Sequence, residues 1–253
     1  MKLLLARGLT KRFGGVIANN SVDFDIEPRE VHAVIGPNGA GKSTFMSQLS
    51  GELLPEAGSI VFEGQEVTKL PIHRRAQLGL CRCYQVSRVF LDHSAIENVA
   101  IGVLARHGGH LRVWRDIRAD KTLFDPAREI LADIGLAGRE DVQASALSHG
   151  ERRQLELAMA LATKPSLLLL DEPMAGLGPA ESRVVVDLIA KLAATIAVVL
   201  IEHDMEAVMA LAKRISVLVN GQVIATGTPD AVVANVAVQE AYLATEGMRH
   251  GHA

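Results

Sequence analysis

One nine-residue stretch, Gly36-Pro37-Asn38-Gly39-Ala40-Gly41-Lys42-Ser43-Thr44, constrains the fold of this chain more than any other. It fits the pattern G-x-x-x-x-G-K-S/T, follows the mostly apolar run Val31-His32-Ala33-Val34-Ile35, and opens a segment expected to be helical from about Lys42. Strand, glycine-rich turn and helix in that order make a cradle for phosphate. Gly36, Gly39 and Gly41 let the backbone curl until successive N–H groups face inward, and the helix start adds the positive end of its dipole. Lys42 then supplies a point charge for β- and γ-phosphates, and Ser43 a hydroxyl for Mg²⁺. Pro37, Asn38, Ala40 and Thr44 complete the expected binding loop.

A second element is Leu167-Leu168-Leu169-Leu170-Asp171-Glu172. A carboxylate at the C-terminal end of a buried parallel strand sits where open α/β sheets bind ligands. Asp171 is expected to hold Mg²⁺, directly or through water. Glu172 points elsewhere and is the candidate to polarise an attacking water, a role typically worth ~10²–10⁴ in rate. These two elements specify a P-loop NTPase, a class that kinases, GTPases, helicases and transporters share. No Asn-Lys-x-Asp guanine reader is present, which weakens the GTPase reading.

The remaining pattern fits that core. Leu167–Leu170, Ile196–Ile201 and, nearly, Ile215–Val219 are apolar without alternation, as strands buried on both faces of a parallel sheet are. Val22, Phe24 and Ile26 alternate with acids and suggest a half-buried strand, and Ser59 to Val67 reads as a hairpin turning at Glu63-Gly64-Gln65. Pro179 is expected to open a helix with the apolar stripe Val184, Val185, Leu188, Ile189 and Leu192, and Asn220-Gly221 a tight hairpin turn. From about Leu91 to Ala146 the pattern is mainly helical. There Asp125 reads as an N-cap, Pro126 as the first helical residue, Ala127, Ile130, Leu131 and Ile134 as the apolar face, and Gly135 as the end. The expected fold class is α/β: a three-layer core with an N-terminal antiparallel β subdomain and a helical subdomain inserted at 91–150, within one domain spanning 1–253.

Composition and the run of apolar residues argue against several roles. At 49% hydrophobic and 22% charged, the 253 residues can bury a large core, and a net charge of −3 with a pI near 6.3 gives no field that favours nucleic acid. Cys81 and Cys83 are read as reduced thiols pointing to opposite faces of a strand. The start, Met1 to Arg7, has too short an apolar stretch for a signal peptide. The run Ile196–Ile201 falls far below the ~17–25 residues a spanning helix needs, so any pore must come from another chain. Arg106, Arg112, Arg115, Arg118 and Lys121 beside Trp114 read as a solvated basic face, with anionic lipid headgroups as the sharper alternative. The polar tail Gly247–Ala253 is expected to fray.

The class narrows at Leu147-Ser148-His149-Gly150-Glu151. Ser148 suits the cap of a helix beginning near Glu151, and Gly150 lets N–H groups approach an anion, a second phosphate-binding helix start in one chain. This segment resembles the signature motif of ABC ATPases, retaining its Ser and second Gly. Gln85 matches the Q-loop position, His203 the switch histidine and Phe13 the aromatic that stacks on adenine. The likeness runs from about Leu3 to Leu243. Lys11-Arg12-Phe13-Gly14-Gly15, Glu202-His203-Asp204-Met205, Gly227-Thr228-Pro229 and Glu240-Ala241-Tyr242-Leu243 resemble the branched-chain amino acid transporter ATPases in particular.

The resemblance implies a function and a site. The function is an ATP-hydrolysing subunit, peripheral on the cytoplasmic face of the inner membrane, powering import through two membrane permease subunits and, indirectly, a solute-binding protein. The solute is a branched-chain or other amino acid; urea, short amides and small carboxylates are the alternative, and a soluble non-transport ABC ATPase or a nucleotide sensor the more distant ones. ATP and Mg²⁺ are the expected ligands. Two such chains, copies or paralogues, meet head to tail, and each ATP lies between one chain's phosphate loop and the other's Ser148 and Gly150. Glu172, His203 and Gln85 form the catalytic set, and Ser43, Gln85 and Asp171 the metal set. Three departures stand out: His149 and Glu151 in the signature, Gly178 where the family's D-loop carries Asp, and Phe13 for the commoner Tyr.

Overall fold

The computed structural model describes residues 1–83, 89–106 and 120–241. The apolar runs become the centre of a six-stranded sheet. β3 (Val31–Ile35), β7 (Leu167–Asp171) and β8 (Ala197–Ile201) are buried at every residue. With β6 (Leu80–Cys83), β9 (Arg214–Val219) and β10 (Gln222–Gly227) they take the order β10-β9-β3-β8-β7-β6, all parallel except the β9–β10 hairpin. That hairpin turns at Asn220 and Gly221, both at positive φ (47° and 76°), as a type I′ turn demands. A second, antiparallel sheet combines β1 (Leu4–Phe13), β2 (Val16–Ile26), β4 (Ala57–Phe62) and β5 (Gln65–Glu66) in the order β2-β1-β4-β5.

The period of two sorts each buried strand between two cores. Leu167 and Leu169 join Val199, Ile201 and the antiparallel sheet's Leu9, Phe24, Ile60 and Phe62, with Phe45 and Leu49 of α1 (Lys42–Ser50) between. Leu168 and Leu170 join Val198, Leu200 and the helices on the other side. Each fully buried leucine contributes roughly 1.5–3 kcal/mol, so the four-leucine run is a major anchor of the layered arrangement. The helices on that side are α3 (Ala95–Arg106), α4 (Lys121–Asp133), α5 (His149–Ala162) and α6 (Pro179–Ala193). Shorter ones, α2 (Ile72–Gln77) and α7 (Met205–Leu211), connect strands at the periphery, and α8 (Pro229–Val233) follows the last strand. The α/β architecture, with its antiparallel N-terminal sheet and its helices between β6 and β7, matches the expected fold class.

Four local expectations are corrected. α4 starts at Lys121, capped by Asp120, whose carboxylate accepts from the Thr122 N–H at 3.0 Å; Pro126 lies inside the helix and Asp125 is not its cap. The earlier start adds Leu123 to the buried face with Ala127 and Leu131, a spacing of four that a helix rewards. Gly135 does end it: Leu136 N–H donates to Leu131 O (2.8 Å) and Gly135 N–H to Ala132 O (3.1 Å), a Schellman motif. Val184 faces solvent, while Val185, Leu188 and Ile189 are buried. Cys81 and Cys83 share one face, since residues two apart on a strand must; both thiols enter the helical-side core, and burial pushes Cys83 up to about 12. Finally, α5 starts at His149, two residues before Glu151.

Candidate nucleotide site

The phosphate loop connects the C-terminal end of β3 to α1. Two of its glycines are required sterically. A Cβ at Gly36 (φ 152°) would lie 2.0 Å from Leu218 O, and one at Gly41 (φ 101°) 2.1 Å from Ala18 O. The loop is therefore pressed between β9 and β2 with no room for a side chain at these two positions. Buried Asn19 fixes it further, donating to Gly41 O at 3.2 Å while accepting from Gln48 of α1 at 2.6 Å. Gly41 starts α1 in the left-handed region with no side-chain cap. The first N–H groups of that nine-residue helix thus have no partner from the chain's own capping chemistry. Lys42 folds back over the loop and donates to Gly36 O (2.6 Å) and Pro37 O (3.0 Å). Burial lowers its pKa, opposed by the charges of Glu172 and Asp171 nearby. An anion with several acceptor oxygens fits this set of donors.

β7 and β8 bring the acids to the same edge. Asp171 ends β7 almost fully buried, and its Oδ2 accepts from Arg82 Nη2 of β6 at 2.8 Å. Arg82 also reaches Glu52 at 2.8 Å and Ser47 at 2.9 Å, tying β6 and β7 to the far end of α1. Glu172 leaves the strand at φ 48°, a region non-glycine residues rarely occupy. This turn gives the two adjacent carboxylates different neighbours, Arg82 beside Asp171 and His203 beside Glu172. His203, 70% exposed beyond β8, places Nδ1 3.9 Å from Glu172 Oε1. Glu202, one residue earlier and 1% exposed, accepts from the N–H groups of Met174 (2.9 Å) and His203 (3.0 Å). It welds the segment after β7 to the segment after β8. Among the described residues no ready-made cluster of three or more metal-ligating side chains occurs. The Ser43 hydroxyl and Asp171 carboxylate are nevertheless hard oxygen donors of the kind Mg²⁺ uses alongside phosphate oxygens.

The signature segment is built differently. Ser148 caps α5: its Oγ accepts from Glu151 N–H at 3.2 Å, and Glu151 returns a carboxylate oxygen to Ser148 N–H at 2.8 Å. Glu151 is thus the N3 partner of a capping box. The Ser148 N–H and the Arg139 guanidinium, 2.9 Å away, hold its pKa below the ordinary value. His149 lies over Gly176, and a Cβ on Gly150 would meet Glu181 Oε1 at 3.0 Å. Glu181 also accepts from the N–H of Gly178, the N-cap of α6, at 3.2 Å. Gly150 therefore serves packing within the chain as well as any approach of a ligand.

Lys42, Asp171, Glu172 and His203 converge, as expected. Ser148 and Gly150 do not join them: no hydrogen bond links either to residues 36–44 among the described residues. Phe13 is 52% exposed at the tip of the β1–β2 hairpin, its ring 5.8 Å from Lys11 Nζ. Its open face suits stacking on a base. Gln85 lies outside the described residues, as do Arg112, Trp114, Arg115, Arg118 and the tail. Arg82, Asn19 and Glu202 were not anticipated as site residues. For Glu202 a signal existed, because it follows an apolar strand as Asp171 does.

The chain is similar to known ATP-binding proteins along most of its length. The family model described as ABC transporter matches residues 19–175, and one described as branched-chain amino acid ATP-binding cassette transporter matches 222–243. Among relatives, the high-affinity branched-chain amino acid transport ATP-binding protein LivG of Escherichia coli K12 is 39% identical over 251 residues, 95% of this chain and 97% of its own. BraF of Pseudomonas aeruginosa, with the same description, is 37% identical over 95% of this chain and 97% of its own. Two solved structures superpose with a TM-score of 0.86 over 96% of this chain and 99% of theirs. One is a nucleotide-free ATP-binding cassette from an ABC transporter at 27% identity, the other a cassette in its ADP conformation at 28%. A phosphate cradle left uncapped, acids at the ends of adjacent strands and a separate serine-capped helix start therefore have one common explanation: the chain belongs to the ABC transporter family of ATP-binding proteins.

Proposed function

We propose that the chain hydrolyses ATP to drive uptake of branched-chain amino acids through partner membrane subunits. One observation carries the reading. Lys42, Asp171, Glu172 and His203 meet at one sheet edge, while Ser148 and Gly150 stand apart with no bond to it. A second chain placed head to tail, a copy or a paralogue, supplies the missing half. The γ-phosphate then gives the partner's Ser148 and Gly150 the anion they accept, so ATP favours the closed pair and its loss favours the open one. Lys42 and the loop's N–H groups bind and orient the phosphates. Glu172 orients water and accepts its proton; His203 steadies both; Phe13 stacks on adenine. Ser43, Asp171 and Gln85 would hold Mg²⁺, which when bound neutralises charge on the phosphate oxygens.

The solute follows from the relatives' descriptions and from the match of residues 222–243 to the branched-chain model. The helical unit at 91–150 is the proposed docking region for the two permeases, with a solute-binding protein acting beyond them. No described helix is long and apolar enough to cross a membrane. The proposed place, which follows from the role in import, is the cytoplasmic face of the cell membrane, held there by the permeases. Co-purification with the membrane subunits, reconstitution in liposomes and measurement of ATP-dependent leucine uptake test it. Uptake of urea or a short amide in preference to leucine sinks the solute assignment, and ATP hydrolysis by a lone chain lacking Ser148 and Gly150 function sinks the paired site.

A further inference from the structure

Arg153 lies on α5, one turn past the Ser148 cap, and is only 9% exposed. Its guanidinium is turned inward, away from solvent. It crosses to the end of β7 and addresses three consecutive carbonyls: Nε donates to Pro173 O at 2.9 Å, and Nη2 to Glu172 O at 3.0 Å and Asp171 O at 3.3 Å. Glu156, one turn further along α5, pairs with Nη1 and balances the buried charge. The carbonyls so gripped flank the left-handed turn at Glu172 (φ 48°). Other bonds support the same turn: Glu172 N–H donates to Ile201 O at 2.9 Å and Ala175 N–H to Glu172 O at 3.1 Å. A rare backbone conformation persists only where its surroundings over-determine it. Here the strongest donor in those surroundings is a rigid five-donor fork, the group best suited to hold several oxygens at fixed angles.

Resting on the proposed role of Glu172 as base, we propose that Arg153 is its positioning residue. It holds the turn that aims the carboxylate, and it makes that aim depend on where α5 sits. Because α5 begins at Ser148 and Gly150, engagement of this helix with a partner's nucleotide is coupled to the catalytic carboxylate of the same chain. The two sites of a pair would then be linked through one side chain in each protomer.

Arg153→Met keeps the stem and removes the fork, and Arg153→Lys keeps a charge without the fork. In the purified full chain with its partner subunits, Arg153→Met is expected to lower kcat by about 10–100-fold, the scale of misplacing a reacting group. ATP affinity and KM should change by less than about 3-fold, because the phosphate loop is untouched. Arg153→Lys should recover part of kcat, and amide exchange at Glu172, Met174 and Ala175 should quicken in the Met variant. The decisive comparison is with Glu172→Gln: combining it with Arg153→Met should cost nothing further, since Arg153 acts through the group already removed. A full additional loss in the double variant, or a fall of ATP affinity in step with kcat, overturns the proposal. Normal kcat in Arg153→Met does so too. If Arg153→Met fails to fold, the same double comparison with Arg153→Lys decides. Normal turnover in Glu172→Gln alone instead marks failure of the base reading itself.

Discussion

Two helix starts in this molecule face the same electrostatic problem and solve it in opposite ways. Every helix begins with N–H groups that lack intrahelical partners and with the positive end of its dipole. α1 leaves them bare: Gly41 provides no side chain, and Lys42 turns back on the loop's own carbonyls. α5 covers its start in part, Ser148 and Glu151 exchanging bonds in a capping box that satisfies the Glu151 and Ser148 N–H groups. An end without a cap is costly unless something else supplies the acceptor, whereas a boxed end is stable alone. On the proposed function, the difference assigns affinity to α1, where a phosphate satisfies donors that no side chain caps among the described residues. It assigns conditional contact to α5, whose serine must give up or share an existing bond. That is the division of labour expected of a site that binds nucleotide first and closes second.

The strongest way to break this comparison is Glu172→Gln. Turnover measured by phosphate release should fall by ~10²–10⁴ while ATP still binds. Dimers should then accumulate with ATP on a sizing column with light scattering, because both helix starts keep hold of an unhydrolysed γ-phosphate. Near-normal hydrolysis would remove Glu172 from the base role. Next in size is Lys42→Ala. A hydrogen bond to a charged group is worth ~1.5–3 kcal/mol, so ATP affinity by calorimetry should drop about 10–100-fold. Unchanged affinity would mean that α1 is not the primary grip.

Ser148→Ala should behave in the reverse manner. Loss of an N-cap serine costs about 0.5–2 kcal/mol of stability, visible as a lower melting midpoint. Its effect on ATP affinity of the single chain should be negligible, yet the ATP-driven dimer in the Glu172→Gln background should be lost. If affinity falls and dimerisation survives, the two helix starts have been assigned the wrong way round.

How much of this was legible beforehand depended on how far apart the interacting residues lie. The phosphate loop, the leucine run before Asp171, Pro179 at the start of α6 and the Asn220-Gly221 turn are local patterns, and each formed where its residues stand. The Ser148-to-Glu151 capping box is equally local. Its spacing is visible in the sequence, and Glu151 is a cap partner before it is a departure from a motif. The start of α4 was misplaced because Asp125-Pro126 offers a good local signal that Asp120 and buried Leu123 override. The contacts of Arg82 with Asp171, of Arg153 with residues 171–173 and of Glu202 with Met174 span 18 to 89 positions along the chain. No periodicity encodes them, since they exist only once β6, β7, β8 and α5 are packed. The charges that hold the catalytic edge in shape were for that reason the least readable part of the site.

The smallest expected effect probes the boxed start most finely. Glu151→Gln keeps the box, because an amide oxygen still accepts from Ser148 N–H, but it removes a negative charge from a place proposed to meet the partner's phosphate. Two consequences oppose each other. The helix loses a favourable acid in its first turn, worth typically 0.3–1 kcal/mol, so melting should shift slightly down. The pair should close more readily, ATP-driven dimerisation strengthening by about 2–5-fold, the range of one exposed charge interaction. That gain should shrink as salt rises, since the charge is only partly shielded by the protein. The pH response of the unmodified chain gives an independent check. Because the Ser148 N–H and Arg139 hold the Glu151 carboxyl below its ordinary value of 4.5, its support of α5 is present above that value and is lost as pH falls through the lowered one. Glu151→Gln should flatten this part of the stability curve. If it leaves both the acid limb and the dimer affinity untouched, Glu151 is neither a cap partner in solution nor a neighbour of the second phosphate grip.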